Sequence, residues 1–149
     1  MKIILFILLH LSLLHANIST GNTLPSLALV DQYDHKVIVA EDSTLIISFQ
    51  KSVSSEIQAY LDSKPKHYLK KNNILYISDM SAAPTFMIKL FGIPKMKKFD
   101  YKVALIYDDA VADKIQREDD KITVIRLKRA KIMGIQFVSP KDLNSVLEN

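Results

Sequence analysis

The sequence predicts an α/β domain of three layers, a mixed central β-sheet with helices on both faces and an N-terminal β-hairpin. Three observations lead there. Thr44 to Phe49, Ile74 to Ser78 and Val103 to Tyr107 are short apolar runs rich in branched residues, with the continuous apolar character of strands covered on both faces. A stretch with apolar residues at helical spacing follows each run, which is the order that builds parallel strands. Two further strand-like runs, Ile122 to Leu127 and Ile132 to Val138, face each other across a tight basic turn and add an antiparallel pair. An apolar fraction of 48% with 24% charged residues over 149 residues is the composition of one domain with a substantial core.

The first residues carry an address. Lys2, the run Ile3 to Leu14 broken only by His10 and Ser12, and Ala16 at a small-residue cleavage position form a secretory signal pattern. The run is shorter than the roughly 20 apolar residues that span a bilayer as a helix. Residues 1–16 are therefore expected to be a signal peptide directing the chain to the periplasm, 17–23 a flexible polar lead-in, and 24–149 a single domain with no transmembrane segment. Loss of Lys2 with the leader lowers the formal charge from +4 to +3. The chain has no cysteine, so an exported domain of this kind relies on its core without disulfides. The same absence excludes thiolate catalysis, thiol–disulfide exchange and thiolate metal sites.

Leu24 to Leu29, the polar turn Asp31 to Lys36, and Val37 to Val39 read as a β-hairpin. After the Thr44 strand, Ile57, Tyr60 and Leu61 fall at helical spacing, with Ser52 or Ser54 as candidate N-cap and Glu56 in the first turn. Pro65 interrupts that helix, and Lys70 to Asn73 end its extension. Ser81 to Phe91 reads as a helix with Met87, Leu90 and Phe91 on one face, stopped by Gly92 and Pro94. Asp109 to Gln116 is a weaker helix. Ser139-Pro140-Lys141-Asp142 opens a closing helix with Leu143, Val146 and Leu147 on its buried side.

This order resembles the thioredoxin-like superfamily, in its peroxiredoxin and exported thiol–disulfide oxidoreductase branch. Leu24-Pro-Ser-Leu-Ala-Leu-Val-Asp-Gln is similar to the Pro-x-hydrophobic-x-Leu-x-Asp start of that branch. Asp34-His35-Lys36-Val37 sits at its hairpin turn, and Ile122 through the Lys128 to Lys131 turn to Ser139 is similar to its terminal hairpin and helix. The resemblance implies reactive cysteines within Lys51 to Ile57, with Ser54 as the foremost position. A competing register sets Ala82-Ala83-Pro84-Thr85 at the Cys-x-Pro-Cys position. Both lack cysteine, and the family's cis-proline position falls on Lys121 or Ile122. The resemblance thus implies the fold without the redox chemistry.

Other constellations read blandly. Ser48, Ser52, Ser54 and Ser55 near a helix start suit an anion or a nucleophile, but serine is also the commonest cap. A serine hydrolase needs a histidine and a carboxylate in place, and beyond the leader only His35 and His67 remain. Those two imidazoles are too few for a histidine metal site. The acidic residues Asp108 to Asp120 lack calcium-loop spacing. Lys64 to Lys71, Lys95 to Lys98 and Arg126 to Lys131 are basic turns that protect strand edges or meet anionic envelope surfaces; export and small net charge argue against nucleic acid. The three glycines, Gly21, Gly92 and Gly134, are far apart and form no dinucleotide fingerprint. The reading that results is a redox-inactive exported module without cofactor, which binds another envelope protein or an extended or acidic segment. Its candidate binding residues are Lys51, Ser52, Ser54, Ser55, Lys121 and Ile122. An accessory to envelope redox enzymes, with or without a bound flavin, is the alternative; a hydrolase using Ser52, Ser54 or Ser55 is the third.

Overall fold

The structure is a computed structural model that describes residues 18–148; the expected signal peptide lies outside the described residues. Seven strands form one sheet. The hairpin strands β1 (Leu29–Asp31) and β2 (Lys36–Val37) precede β3 (Thr44–Ser48), which leads into helix α1 (Lys51–Asp62). Helix α2 (Tyr68–Lys71) feeds β4 (Ile74–Asp79), and a helical segment over 85–96 feeds β5 (Ala104–Ile106). That segment runs as α3 (Thr85–Met87), a π-helical turn (Ile88–Gly92) and α4 (Ile93–Met96). Helix α5 (Asp109–Ala112), the strands β6 (Ile122–Lys128) and β7 (Lys131–Val138), a 3₁₀ turn (Pro140–Asp142) and α6 (Leu143–Leu147) complete the chain.

The sheet order is β2-β1-β5-β4-β3-β6-β7. Strands β3, β4 and β5 run parallel, and β1 and β6 join them antiparallel. Because side chains alternate across a strand, β3 supplies both cores. Leu45 and Ile47 face Ile77, Ile106, Val111 and Ile115, while Ile46 faces Val53, Ile57, Leu61, Met96 and Leu143. Burial of both faces explains why β3 reads as a continuous apolar run.

Several expectations are corrected. Residues 18–23 are docked, not a flexible lead-in. Ile18 is 0% exposed and belongs to the core. Gly21 N–H donates to Ile132 O at 2.8 Å, Ile132 N–H donates to Asn22 O at 2.9 Å, and Thr23 bridges Lys131. The segment therefore covers the outer edge of β7 at its Lys131–Ile132 start, where backbone groups need partners.

Gly92 and Pro94 do not stop the third helix either. The N–H of Ile93 reaches back five residues to Ile88 O, so the widened turn makes room for a proline that lacks a donor and clashes in a regular helix. Only Ile88 of 85–91 is buried, and Phe86, Met87, Leu90 and Phe91 face outward rather than into the core. Helix α5 is also shorter than the expected Asp109–Gln116; it ends at Ala112, with Asp108 accepting the N–H of Ala110 as its cap.

Candidate functional site

The candidate site lies where β3 ends. Its parallel pairing with β4 sets Ser48 beside Ser78, and both hydroxyls lie on the side covered by α1. Ser48 Oγ shares a hydrogen bond with Ser54 Oγ at 2.8 Å and with Tyr76 Oη at 3.2 Å, and donates to Ser78 Oγ at 3.4 Å. Ser48, Tyr76 and Ser78 are buried, so these bonds satisfy hydroxyls that water does not reach. Ser54 thus points into the domain and ties α1 to β3.

The helix itself starts at Lys51 with Gln50 as N-cap, and no side chain caps it. Neither Ser52 nor Ser54 has the capping role expected of it: Ser52 is exposed and Ser54 is engaged with Ser48. Ser55 Oγ donates back to Lys51 O at 3.0 Å. Glu56 lies beyond the first turn, which contains no acidic residue. The first-turn N–H groups are left with neither a serine cap nor a carboxylate, and Lys51, a cation at the positive end of the helix dipole, is exposed beside them.

Gln50 uses its side chain elsewhere. Its Oε1 accepts the backbone N–H of Asp120 at 2.6 Å, which holds the turn before β6 against the start of α1. Asp120 has a φ of 57°, a left-handed conformation that aspartate tolerates better than most residues. Because β6 pairs with β3 and not with β4, this turn belongs beside Lys51 to Ser55. The competing position Ala82 to Thr85 follows β4, one strand further away. Lys121 is half-buried at the entrance to β6, while Ile122 is fully buried in the core. Ile122 therefore supports the site from beneath and offers no side chain to a ligand. Glu118, Asp119 and Asp120 are exposed in the same turn, so the surface is of mixed charge: Lys51 at the start of α1, and three carboxylates with Lys121 in the turn.

Among the described residues, neither histidine lies beside the hydroxyl cluster. His35 lies in the turn between β1 and β2, and β5 and β4 separate β1 from β3. At about 4.8 Å per strand this puts β1 about 14 Å from β3 and Ser48. His67 precedes α2, at the end of β4 opposite Ser78. Among the described residues no group of three or more histidines, aspartates and glutamates is placed to hold a metal ion. No described helix is long and apolar enough to cross a membrane.

Of the residues that make this site, Gln50, Asp120, Tyr76 and Ser78 escaped sequence reasoning. A serine closing each of the apolar runs TLIIS and ILYIS is the signal that could have revealed the Ser48 and Ser78 pair.

No family model and no curated protein matches the chain. Solved structures do. A candidate protein disulfide isomerase from Bacteroides thetaiotaomicron superimposes with a TM-score of 0.60 at 14% identity, over 88% of this chain and 87% of its own. The thioredoxin domain of a thiol-disulfide oxidoreductase from Bacteroides vulgatus gives 0.55 at 14% identity, over 89% and 97%. A thioredoxin-like protein from Porphyromonas gingivalis gives 0.54 at 15%, over 87% and 92%. The fold is thioredoxin-like, and in this chain it carries no cysteine.

Proposed function

We propose that this protein is an exported, redox-inactive thioredoxin-like module that binds an extended segment of an envelope protein at the start of α1. The observation that carries the reading is the bond between Gln50 and Asp120, which joins the uncapped start of α1 to the turn before β6. A surface of this kind offers backbone N–H donors from the helix start and carboxylates from the turn. The mixture suits a polypeptide, which presents both acceptors and donors, better than a small free anion. Without a thiol the site has no group for disulfide exchange or peroxide reduction, so the chemistry left to it is recognition.

Export rests on the signal pattern in residues 1–16. With cleavage after Ala16 the mature chain starts one residue before Ile18, which is already a core residue. N-terminal sequencing of the protein from the periplasmic fraction is expected to begin at Asn17; intact Met1 in the membrane fraction shows instead that the segment is an uncleaved anchor. A photo-crosslinking residue at exposed Ser52 is expected to trap a discrete envelope partner that the same residue at Lys70 does not. Equal trapping at both positions contradicts the site. The purified protein is expected to be colourless and inactive toward insulin disulfides and peroxide.

A further inference from the structure

The 85–96 segment carries a surface that this function does not use. Phe86, Met87, Leu90 and Phe91 are 63%, 43%, 64% and 63% exposed, four large apolar side chains within six residues. Scattered exposed apolar residues are ordinary, whereas a contiguous group marks a contact surface. Ile88, at the start of the π-helical turn over Ile88–Gly92, is the one buried residue of 85–91. Turns of this type recur at functional positions.

The charge within the segment is one-sided. Lys89, Lys95, Lys97 and Lys98 are all exposed, and no carboxylate occurs between Ser81 and Phe99. At the far end of the segment Tyr33 extends the surface: it is exposed, its hydroxyl donates to Lys97 O at 3.3 Å, and the Lys97 ammonium lies 5.6 Å from its ring centroid. Buried Gln32 fixes this neighbourhood by donating to Met96 O and Tyr101 O.

We infer that segment 85–96 docks on an anionic lipid bilayer, with the four apolar side chains entering the interface and the lysines meeting lipid phosphates. Two features favour a bilayer over a protein. Lys89 lies inside the apolar stretch, between Ile88 and Leu90; the cores of protein interfaces are depleted of lysine, whereas at a membrane its stem lies along the apolar region and its ammonium reaches the headgroups. Pairing with a second copy brings two sets of four lysines together with no carboxylate from the segment to offset them, and like charges opposed across an interface are unfavourable. An anionic surface is complementary to both features.

The chain contains no tryptophan, so one introduced tryptophan reports its own surroundings. Phe91→Trp and, as a control, Met133→Trp on β7 both alter exposed positions, in the full chain. With vesicles of phosphatidylcholine and phosphatidylglycerol at roughly 7:3, emission of Phe91→Trp is expected to move to shorter wavelength and to return as salt is raised. Pure phosphatidylcholine vesicles are expected to leave it unmoved. Adding Lys89→Gln is expected to weaken vesicle binding about fivefold, the effect of one lysine near an anionic surface. Three results overturn the inference: no shift at position 91, a shift at 91 equal with both vesicles and indifferent to Lys89→Gln, or a shift at 91 without lipid that grows with protein concentration and reports self-association. A shift at position 133 alone also overturns it, because that edge receives residues 18–23 and the contact then comes from the N-terminal end.

Discussion

The side-chain carbonyl of Gln50 accepts the backbone N–H of Asp120 at 2.6 Å across 70 residues of sequence. One residue is the N-cap of α1 and the other precedes β6, so on top of the β3–β6 pairing this bond ties together the two edges of the candidate site. Gln50→Ala is expected to cost about 1 kcal/mol of stability in chemical denaturation. Faster amide exchange at Asp120 is expected with it, because that N–H loses its acceptor. Unchanged exchange at Asp120 contradicts the account of how the turn is held.

Asp31 and Gln32 fasten the hairpin to the rest of the sheet. Gln32 Oε1 accepts Val103 N–H at 3.0 Å, while its amide donates to Tyr101 O at 2.9 Å. Gln32→Ala leaves these buried groups without partners and is expected to destabilise by about 3 kcal/mol, read from the denaturation midpoint.

Burial alone would raise the Asp31 carboxyl. The N–H groups of His35 and Tyr33, at 3.0 and 2.8 Å, and the Lys102 ammonium at 3.3 Å outweigh that and hold it below the usual carboxylate value. A depressed carboxyl contributes stability that is fully present above its unfolded pKa of about 3.9 and is lost as pH falls through the lower folded value. Melting temperature is therefore expected to fall with acidification below about pH 4, and Asp31→Asn is expected to flatten that part of the profile. A profile identical to the parent's contradicts this role.

The β6–β7 hairpin turns at Arg129 and Ala130, whose φ angles are 49° and 61°. Both lie in the left-handed region that a side chain disfavours. The turn is held by Asp42 Oδ1, which accepts Arg129 N–H at 2.8 Å, and by Glu41 O, which accepts Ala130 N–H at 2.9 Å. Ala130→Gly keeps those bonds and relieves the conformation. It is expected to raise stability by about 0.5–1 kcal/mol, the strain relief being partly offset by the freer unfolded chain. A loss of stability contradicts the strain.

How much of this was legible depended on whether the determining signal was local. The three parallel strands and the closing hairpin were readable because burial on both faces leaves a continuous apolar run, and β3 shows it in Leu45, Ile46 and Ile47, all fully buried. The docking of residues 18–23 was not, since Gly21 and Asn22 look like tether and their partner, Ile132, lies over 100 residues away. The outward face of Phe86, Leu90 and Phe91 was hidden because apolar spacing normally reports a buried face, and because Gly92 and Pro94 read as a helix stop rather than as the mark of a π-helical turn that carries the helix on. At the site, the Gln50–Asp120 bond holds the start of α1 against the turn before β6. The serines' role was misread because Ser54 finds Ser48 on a strand, a contact that helix-start rules do not contain.

The central claim, that recognition resides at the start of α1, is tested most directly by charge reversal at Lys51. Lys51→Glu places a carboxylate at the positive end of the helix dipole, so it is expected to leave stability unchanged or raise it by about 0.5 kcal/mol. Loss of binding then cannot be attributed to loss of fold. Lys70→Glu, on α2 at the opposite end of the sheet, is the matched control. The measurement is the yield of envelope partner cross-linked to the parent and to each variant. Selective loss with Lys51→Glu, at undiminished melting temperature, is the predicted result; equal yields from all three proteins contradict the account.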